Sequence, residues 1–349
     1  MAHNQQDYSK TTIAHISNPE MVTGAMGSAG RRLFLSDNPE TVTSKSPVVL
    51  FADATNLTSG TKKYRAFVWH NNNTGSQMRL ALTLENKGRN AMKITNGVRE
   101  LDYSKADYVT LGKNNAKACL GATMDAFTAV DTTIAAGATG IIFAAAYANG
   151  TCMGAIYEFT ISGTGSESFV LRTVAIPATS NTTTDNNTIR NTKGTPAALY
   201  KTHPRGAWNS CELNATTSQF AITSSSAQKV YNISNGQKDN VFTSGESSNV
   251  DNEGHYGVNY KLTIPIANKT SAAKNVSVYV TPRSGPYAGA CKYANVIKGI
   301  PTLKLNGSND DAVLIGTVNV PANSTKNFEM TLMHAGGATL AVGIYVVTK

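Results

Sequence analysis

Short apolar runs alternate with clusters of Asn, Gly, Ser and Pro along most of the chain, from Leu33 onward. These runs are rich in Val, Ile, Thr, Phe and Tyr, which is typical of half-buried strands separated by turns. Helical periodicity is nearly absent, and only Glu100 to Val109 suggests one or two helical turns. The pattern therefore predicts an all-β fold, with its clearest strands at Tyr64–His70, Arg79–Leu84, Ala91–Thr95, Thr139–Ala146, Ala155–Ile161, Phe169–Ile176, Gln228–Ile233, Tyr260–Ile266, Val276–Thr281, Thr302–Leu305, Val313–Val320, Asn327–Met333 and Leu340–Val347.

The length of 349 residues exceeds the size at which a single hydrophobic core usually stops growing. An antiparallel sheet with one apolar face needs a second sheet against it, and each half of the chain has enough strands for two sheets. We therefore predict two tandem antiparallel β-sandwich domains of jelly-roll or Ig-like type. The predicted divisions are a polar N-terminal arm at 1–29, a first sandwich at 30–177, a linker at 178–200 and a second sandwich at 201–349.

The two halves resemble each other, which indicates an internal duplication. LTLENKGRNAMKI, beginning at Leu82, parallels LTIPIANKTSAAKNVSV, beginning at Leu262. Farther along, two longer stretches align Ile134 with Val320 and Tyr157 with Tyr345.

Charged residues make up only 15% of the chain, against about 25% in an average soluble protein. Strong surface charge opposes close lateral packing, so this composition favours a protein that assembles. The net charge is +9, but the basic residues are scattered, and pairs such as Arg31-Arg32 and Lys62-Lys63 are the densest clusters. A nucleic-acid surface is usually a concentrated basic stripe with aromatic residues, so we expect no nucleic-acid partner.

No run approaches the roughly 18 apolar residues of a membrane span. The N-terminal sequence MAHNQQDYSK has no basic region followed by an apolar one, so we expect no secretory signal there. The composition favours a location outside the cell. Signal removal, unconventional export and release on cell lysis remain open as routes.

Four cysteines are divided evenly between the halves, Cys119 and Cys152 in the first and Cys211 and Cys291 in the second. This permits one disulfide per domain, although four cysteines allow three connectivities. Buried free thiols and cross-links between subunits are the alternatives. No CxxC spacing indicates structural zinc.

No motif for catalysis or metal binding stands out. The sequence has no HxH, HExxH or GxSxG, and no pair of carboxylates is singled out for glycosidase chemistry. His255 lies beside Asp251 and Glu253 in DNEGHYG, but the spaced acidic ligands of an EF-hand are missing, so a solvated turn is favoured. We expect no catalytic residue, no metal, no cofactor and no enzymatic activity.

Glycan binding is the main functional alternative, because β-sandwich modules can hold sugars on exposed aromatic rings. A candidate platform comprises Trp69, Trp208, Tyr256 and Tyr287, which lie in or beside predicted loops and strand ends. Packing of the two tryptophans in the core or an interface is the competing interpretation.

Four stretches carry a resemblance to a known family: GRRLFLSDNPETV at Gly30–Val42, HPRG at His203–Gly206, GHYGVNYKLTI from Gly254, and PRSGPYAGA at Pro282–Ala290. Over most of residues 30–349 the chain resembles two-domain, β-rich surface or envelope proteins of spore-forming bacteria, often labelled copper amine oxidase-like. That label implies a tyrosine-derived quinone and a copper-binding His trio. Here Asn259-Tyr260 is followed by Lys261 and no His-x-His exists, so the resemblance implies a cell-surface or spore-surface protein without a catalytic residue.

These observations lead to one hypothesis and one alternative. The chain is expected to be a structural subunit that assembles with copies of itself into an extracellular layer, matrix or filament. Its polar arm is expected to add a strand to a neighbour's sheet edge. The alternative is a carbohydrate-binding surface module with envelope glycans as partners.

Overall fold

A computed structural model describes residues 6–28, 30–200, 203–233 and 250–349. The strands before the first helix are β1 Lys10–Ala14, β2 Glu20–Val22, β3 Gly24–Met26, β4 Arg32–Ser36, β5 Thr41–Val42, β6 Val48–Asn56, β7 Thr61–Asn72, β8 Met78–Asn86 and β9 Met92–Ser104. Next come α1 Tyr108–Leu120, β10 Asp125–Phe127, β11 Thr133–Ile134, β12 Thr139–Tyr147, β13 Cys152–Ser162, β14 Ser168–Pro177 and α2 Thr182–Asn191. The remaining strands are β15 Arg205–Trp208, β16 Glu212–Thr216, β17 Phe220–Ile222, β18 Gln228–Ile233, β19 Asn259–Asn268, β20 Lys274–Pro282, β21 Tyr287–Tyr293, β22 Val296–Leu303, β23 Asn309–Val320, β24 Ser324–His334 and β25 Val342–Thr348.

The described strands form four sheets, so the predicted all-β fold is confirmed. A four-stranded sheet has the order β12-β8-β14-β6, and an eight-stranded sheet is built on β10-β9-β13-β7-β4-β15 with β5 and β11 at its margins. A seven-stranded sheet is built on β22-β21-β24-β19-β16-β3 with β17 beside β19, and a six-stranded sheet has the order β1-β23-β20-β25-β18-β2.

The first two sheets face each other across one apolar cluster. Alternate residues of β8 and β14, such as Leu82 and Phe169, meet Tyr64 and Phe159 of the eight-stranded sheet. The Tyr64 ring lies 5.6 Å from the Phe159 ring and 6.2 Å from the Phe169 ring, measured between centroids. Period-two alternation thus supplies the core of a sandwich-like pair, as the sequence predicts.

A second apolar cluster fills the space between the seven-stranded and six-stranded sheets and extends to the outer face of the eight-stranded sheet. In β7, Ala66 and Val68 face the first cluster, whereas Phe67 and Trp69 belong to the second. The eight-stranded sheet is therefore covered on both faces. The two sheet pairs share a large apolar contact.

Helix α1 lies in this contact. The helical turns predicted at Glu100–Val109 are placed wrongly, because residues up to Ser104 belong to β9 and the helix begins at Tyr108. The side chain of Asp107 caps the helix by accepting a 3.0 Å bond from the Thr110 N–H. The helix packs against β9 and β13 on one side and β21 and β22 on the other. At Gly112 a side chain would meet the Gly336 backbone at 2.2 Å, so glycine permits the close approach.

The segment predicted as a linker contains helix α2. Asn181 caps the helix by accepting a 3.1 Å bond from the Thr184 N–H, and Ile189 packs on the outer face of the four-stranded sheet beside Ile141 and Val174. Asp185 is 1% exposed and receives a 2.6 Å bond from Arg79. Two buried contacts on one helix face are enough to dock a segment whose composition is otherwise polar.

The N-terminal arm forms three strands, each paired within its own chain. β1 lies antiparallel to β23, β2 runs parallel to β18, and β3 is antiparallel to β16. The expectation that the arm extends a neighbour's sheet is therefore not what this structure shows. The arm occupies both outer edges of the six-stranded sheet.

Strand β15 lies in the range predicted for the second sandwich but pairs with β4 of the eight-stranded sheet, with Arg205 opposite Ser36. Within the described residues, no helix combines the length and apolar character needed to cross a membrane.

Both sheet pairs follow one strand order, with β6, β8, β14 and β12 corresponding to β18, β20, β25 and β23. By this order β13 corresponds to β24, whereas Tyr345 lies on β25, so the alignment of Tyr157 with Tyr345 joins different strands. The alignment of Leu82 with Leu262 is likewise wrong by one strand, because it joins β8 to β19.

This misalignment arises because the same turn motif recurs at the ends of several strands. Asn72, Asn86 and Asn268 each end a strand, accept an N–H bond from the residue two positions later and donate to the carbonyl four positions later. Asn86 resembles Asn268 in sequence, but Asn72 ends β7, the counterpart of β19. A local turn signal therefore recurs in neighbouring hairpins and misleads an alignment.

Candidate functional site

A cavity of about 390 Å³ opens where the two sheet pairs meet. Asp37 follows β4, Glu40 precedes β5 and His203 precedes β15. Because β15 runs antiparallel to β4 with Arg205 opposite Ser36, the residues just before β15 lie next to those just after β4. Sheet pairing thus brings together residues that are more than 160 positions apart in the sequence.

The loops at this cavity are fixed by buried hydrogen bonds. The Asn38 amide donates to the His203 carbonyl at 2.6 Å and accepts the Tyr200 N–H at 2.8 Å. The Arg205 guanidinium donates to the carbonyls of Asn38, Leu50 and Ala197 at 3.1, 2.8 and 2.9 Å. Burial lowers the pKa of Arg205. These bonds hold both loops against the edge of the eight-stranded sheet.

Asp37, Glu40 and His203 form a compact cluster whose potential ligand atoms all lie within 4.8 Å of one another. His203 Nε2 is 3.3 Å from Glu40 Oε2, and His203 Nδ1 is 3.9 Å from Asp37 Oδ2. Asp37 is 5% exposed, and its Oδ1 has no hydrogen-bond partner among the described residues. Burial, reinforced by the negative charge of Glu40, raises the pKa of Asp37 well above its usual value.

The acidic loop identified around His255 lies at the same cavity, but its histidine does not line it. Asp251, Glu253 and Tyr256 are among the lining residues. His255 is instead fully buried, and its ring is stacked 5.9 Å from the Tyr260 ring and lies 6.1 Å from the tilted His334 ring. The sequence favours a solvated turn over an acidic cation loop here; the structure places the carboxylates of this loop at the cavity and buries its histidine.

A sequence signal for this cavity did exist. Asp37 and Glu40 lie in the stretch SDNPE, His203 in HPRG, and Tyr256 in GHYG. From the sequence these stretches are noted only for an expected family resemblance, and that expectation gives them no role at a cavity. Their convergence depends on strand pairing, which local patterns do not reveal.

The predicted aromatic platform is not an exposed surface. Trp69, Trp208 and Tyr287 are 2%, 3% and 0% exposed, which corrects their assignment as sugar-stacking rings. Tyr256 is half-buried, and its ring lies 5.8 Å from Phe67, where the two sheet pairs meet. The competing interpretation, packing in the core or an interface, describes these side chains.

All four cysteines are free, buried thiols, so neither a disulfide within a domain nor a cross-link between surfaces describes them. Cys119 lies on α1, Cys152 on β13, Cys211 just before β16 and Cys291 on β21. Burial raises the pKa of Cys119 and of Cys291 to about 12 and also raises that of Cys152. Thiols in this state are poor nucleophiles.

One serine–histidine contact resembles the nucleophile and base of a hydrolase, but a substrate could not reach it. Ser36 Oγ lies 2.9 Å from His70 Nε2, and His70 Nδ1 lies 2.8 Å from the Pro39 carbonyl oxygen. Both side chains are 0% exposed, and burial lowers the pKa of His70 to about 4. The pair therefore stabilises the β4–β5 loop beneath the cavity.

Comparison with known proteins shows no family. No family model and no curated protein matches the chain. Among solved structures, the tandem CBM22 domains of Xyn10C from Paenibacillus barcinonensis are 9% identical and cover 88% of this chain and 92% of their own, with a TM-score of 0.17.

Procruciferin, an 11S globulin of Brassica napus, is 10% identical and covers 95% of this chain and 85% of its own, with a TM-score of 0.13. A single-substitution variant of the oxalate decarboxylase of B. subtilis is 9% identical and covers 93% and 78%, with a TM-score of 0.10. Similarity at this level carries no argument about function.

Proposed function

We propose that the chain is a non-enzymatic structural subunit, built as two jelly-roll sandwiches in tandem, that assembles with copies of itself into an extracellular layer, matrix or filament. The two sheet pairs have the same strand order, which supports the proposal of two sandwiches of one kind in tandem. The low charged fraction of 15% supports close packing between copies.

The observation that carries the assembly is the open edge of the four-stranded sheet. β12 pairs with β8 on one side only. Val130 and Asp131 donate backbone bonds to the carbonyls of Ile142 and Ile141, which covers the start of the strand. Beyond Ile142, no second strand lies beside β12 in the described parts of the chain.

The sequence of this edge does not protect it. β12 reads TGIIFAAAY and contains no charge and no proline, the residues that usually prevent edge-to-edge pairing. Beside it, Tyr103 is 40% exposed and lines a shallow, mostly apolar depression together with Ala146, Ala148 and Lys105. An unprotected strand edge with an adjacent apolar depression is suited to strand addition from a second copy.

Sedimentation velocity and negative-stain electron microscopy of the purified protein test this proposal. We expect species much larger than a monomer with a regular repeat. Ala146→Lys places a charge on the open edge and should shift the protein toward monomer. The matched change Ala136→Lys, at an exposed position in the preceding turn, should leave assembly intact. A wild-type protein that is monomeric at roughly 100 µM, a concentration well above the Kd of a stable interface, contradicts the proposal.

Carbohydrate binding remains a second candidate because of one groove, which was not predicted from the sequence. The groove has a volume of about 620 Å³ and lies on the seven-stranded sheet, lined by Lys261, Tyr293, Asn295, Glu329 and Thr331 among others. Amides, hydroxyls and a partly exposed aromatic ring suit a sugar. A glycan array compares wild type with Tyr293→Ala; a blank array, or binding that this change leaves intact, removes the candidate.

A further inference from the structure

We infer that the cavity between the two sheet pairs binds one divalent first-row transition-metal cation, held by the Asp37 and Glu40 carboxylates and the His203 imidazole. This site is independent of the proposed assembly edge, because its residues lie on the β4–β5 loop and before β15 rather than on β12.

The separations within the cluster fit one central ion. One potential ligand atom from each of Asp37, Glu40 and His203 lies within 4.8 Å of the other two, and His203 Nε2 is 3.3 Å from Glu40 Oε2. Two ligands that are each about 2.1 Å from a tetrahedral Zn²⁺ lie roughly 3.4 Å apart. Because only one imidazole nitrogen can bind a given ion, His203 Nε2 and Glu40 already have a ligand-like separation, and the Asp37 carboxylate must rotate to join them.

An independent observation points to a missing ligand. Asp37 lines the cavity, is 5% exposed and leaves Oδ1 without a hydrogen-bond partner among the described residues. A buried carboxylate is normally paired with a cation or fully hydrogen-bonded, because its desolvation is otherwise uncompensated. Here the neighbouring Glu40 adds further negative charge. A bound cation would compensate both carboxylates.

The donor set decides the class of cation. One imidazole with two carboxylates favours Zn²⁺, Mn²⁺ or Fe²⁺, whereas Ca²⁺ and Mg²⁺ prefer oxygen ligands alone. Asp251 and Glu253 line the same cavity and add negative potential that attracts a cation. The nearby thiol of Cys152 is not among the ligating cluster.

The loops already have the fixed positions that a metal site needs. Asn38 bonds the His203 carbonyl, and Arg205 bonds the Asn38 carbonyl, so both loops are held together before any ion arrives. Supporting hydrogen bonds of this kind orient ligands and raise affinity. The ion would therefore enter a largely formed site.

Isothermal titration calorimetry of the full-length, chelator-treated protein with ZnCl₂, and separately with MnCl₂ and CaCl₂, tests the inference. We expect one Zn²⁺ or Mn²⁺ per chain, with affinity at least about tenfold weaker in Asp37→Asn and in His203→Gln. The control is Asp310→Asn, which disrupts a second carboxylate–histidine pair, at 2.7 Å from His15, and should leave binding unchanged.

Thermal unfolding gives a second readout that separates ligation from simple damage to the fold. In chelator, Asp37→Asn should melt at or above the wild-type temperature, because the amide has nearly the shape of the carboxyl group and carries no charge that would have to be buried. In ZnCl₂ the wild type should gain stability that the variant does not. If Asp37→Asn does not fold, the partly exposed His203→Gln still supplies the test.

Three results overturn the inference. They are an absence of Zn²⁺ and Mn²⁺ binding at roughly 100 µM, binding that survives His203→Gln, and a preference for Ca²⁺ over both transition metals.

Discussion

The four-stranded and six-stranded sheets share a four-strand core but differ at their edges. The orders β12-β8-β14-β6 and β23-β20-β25-β18 correspond strand by strand. In the six-stranded sheet the N-terminal arm adds β1 outside β23 and β2 outside β18. The four-stranded sheet has no such additions among the described residues. One chain therefore shows both a covered and an uncovered version of the same edge, and the uncovered one is where we place the contact between copies.

The largest expected effect comes from deleting the N-terminal arm, which covers both edges of the six-stranded sheet. Deleting residues 1–26 exposes the backbone of β23 and β18 and also removes the Lys10–Asp311 and Glu20–Lys229 ion pairs. We expect the melting temperature to fall by roughly 10 °C or more, with light scattering that reports new edge-to-edge association. Deleting only residues 1–6 is the control. Unchanged stability of the shorter chain would mean that the arm does not protect these edges.

Acid should reduce the stability of both sheet pairs, but the pH at which this loss ends should differ between them. Burial lowers the pKa of His70 from 6.5 to about 4 and that of His334 from 6.5 to about 3. As the pH falls below 6.5, these histidines become protonated in the unfolded chain before they do so in the folded one. The free energy of unfolding therefore has its full value above pH 6.5 and decreases until the pH reaches the folded-state pKa of each histidine. The expected loss at His70 is about 3 kcal/mol by pH 4.

Urea unfolding at pH 7, 5.5, 4 and 3 measures this difference. His70→Gln should flatten the slope between pH 6.5 and 4, while His334→Gln should flatten it down to about pH 3. The half-exposed His15 serves as a control, since His15→Gln removes no buried imidazole. Equal slopes in wild type and both buried-histidine variants would contradict the burial argument.

The matched turns should behave alike. Asn72 and Asn268 each donate to a carbonyl four positions later and to a carbonyl of the facing sheet, that of Tyr147 and of Val320 respectively. Replacing either with Ala leaves buried groups unpaired and should reduce the free energy of unfolding by about 2 kcal/mol. The exposed neighbours Asn73 and Lys269 supply Ala controls. A large effect at one turn alone would weaken the strand correspondence.

These turns also show what the sequence could and could not predict. Strands were found because large apolar residues recur at every second position, such as Leu80, Leu82 and Leu84 in β8 and Leu262, Ile264 and Ile266 in β19. Helix α1 was missed because its own buried residues, among them Leu111, Asn115 and Lys117, include polar ones and do not form a single apolar stripe. Helix α2 was missed because Asp185 and Ile189 alone anchor it.

The candidate metal site was missed for a different reason. Asp37 and Glu40 are close in sequence, but His203 reaches them only through the pairing of β15 with β4. Strand pairing of that range is a property of the fold and leaves no fixed spacing in the sequence. The same applies to the cysteines and tryptophans, whose burial follows from the contact between sheet pairs.

Backbone amide hydrogen exchange, compared between assembled and dissociated protein, tests the uncovered edge most directly. We predict that the amides of residues 143–147 that point away from β8 exchange much more slowly in the assembled protein, because a strand from a second copy pairs with β12. Amides of β23, already covered by β1, should exchange at the same rate in both states. Equal, fast exchange of these outward-pointing amides in both states would contradict assembly through this edge.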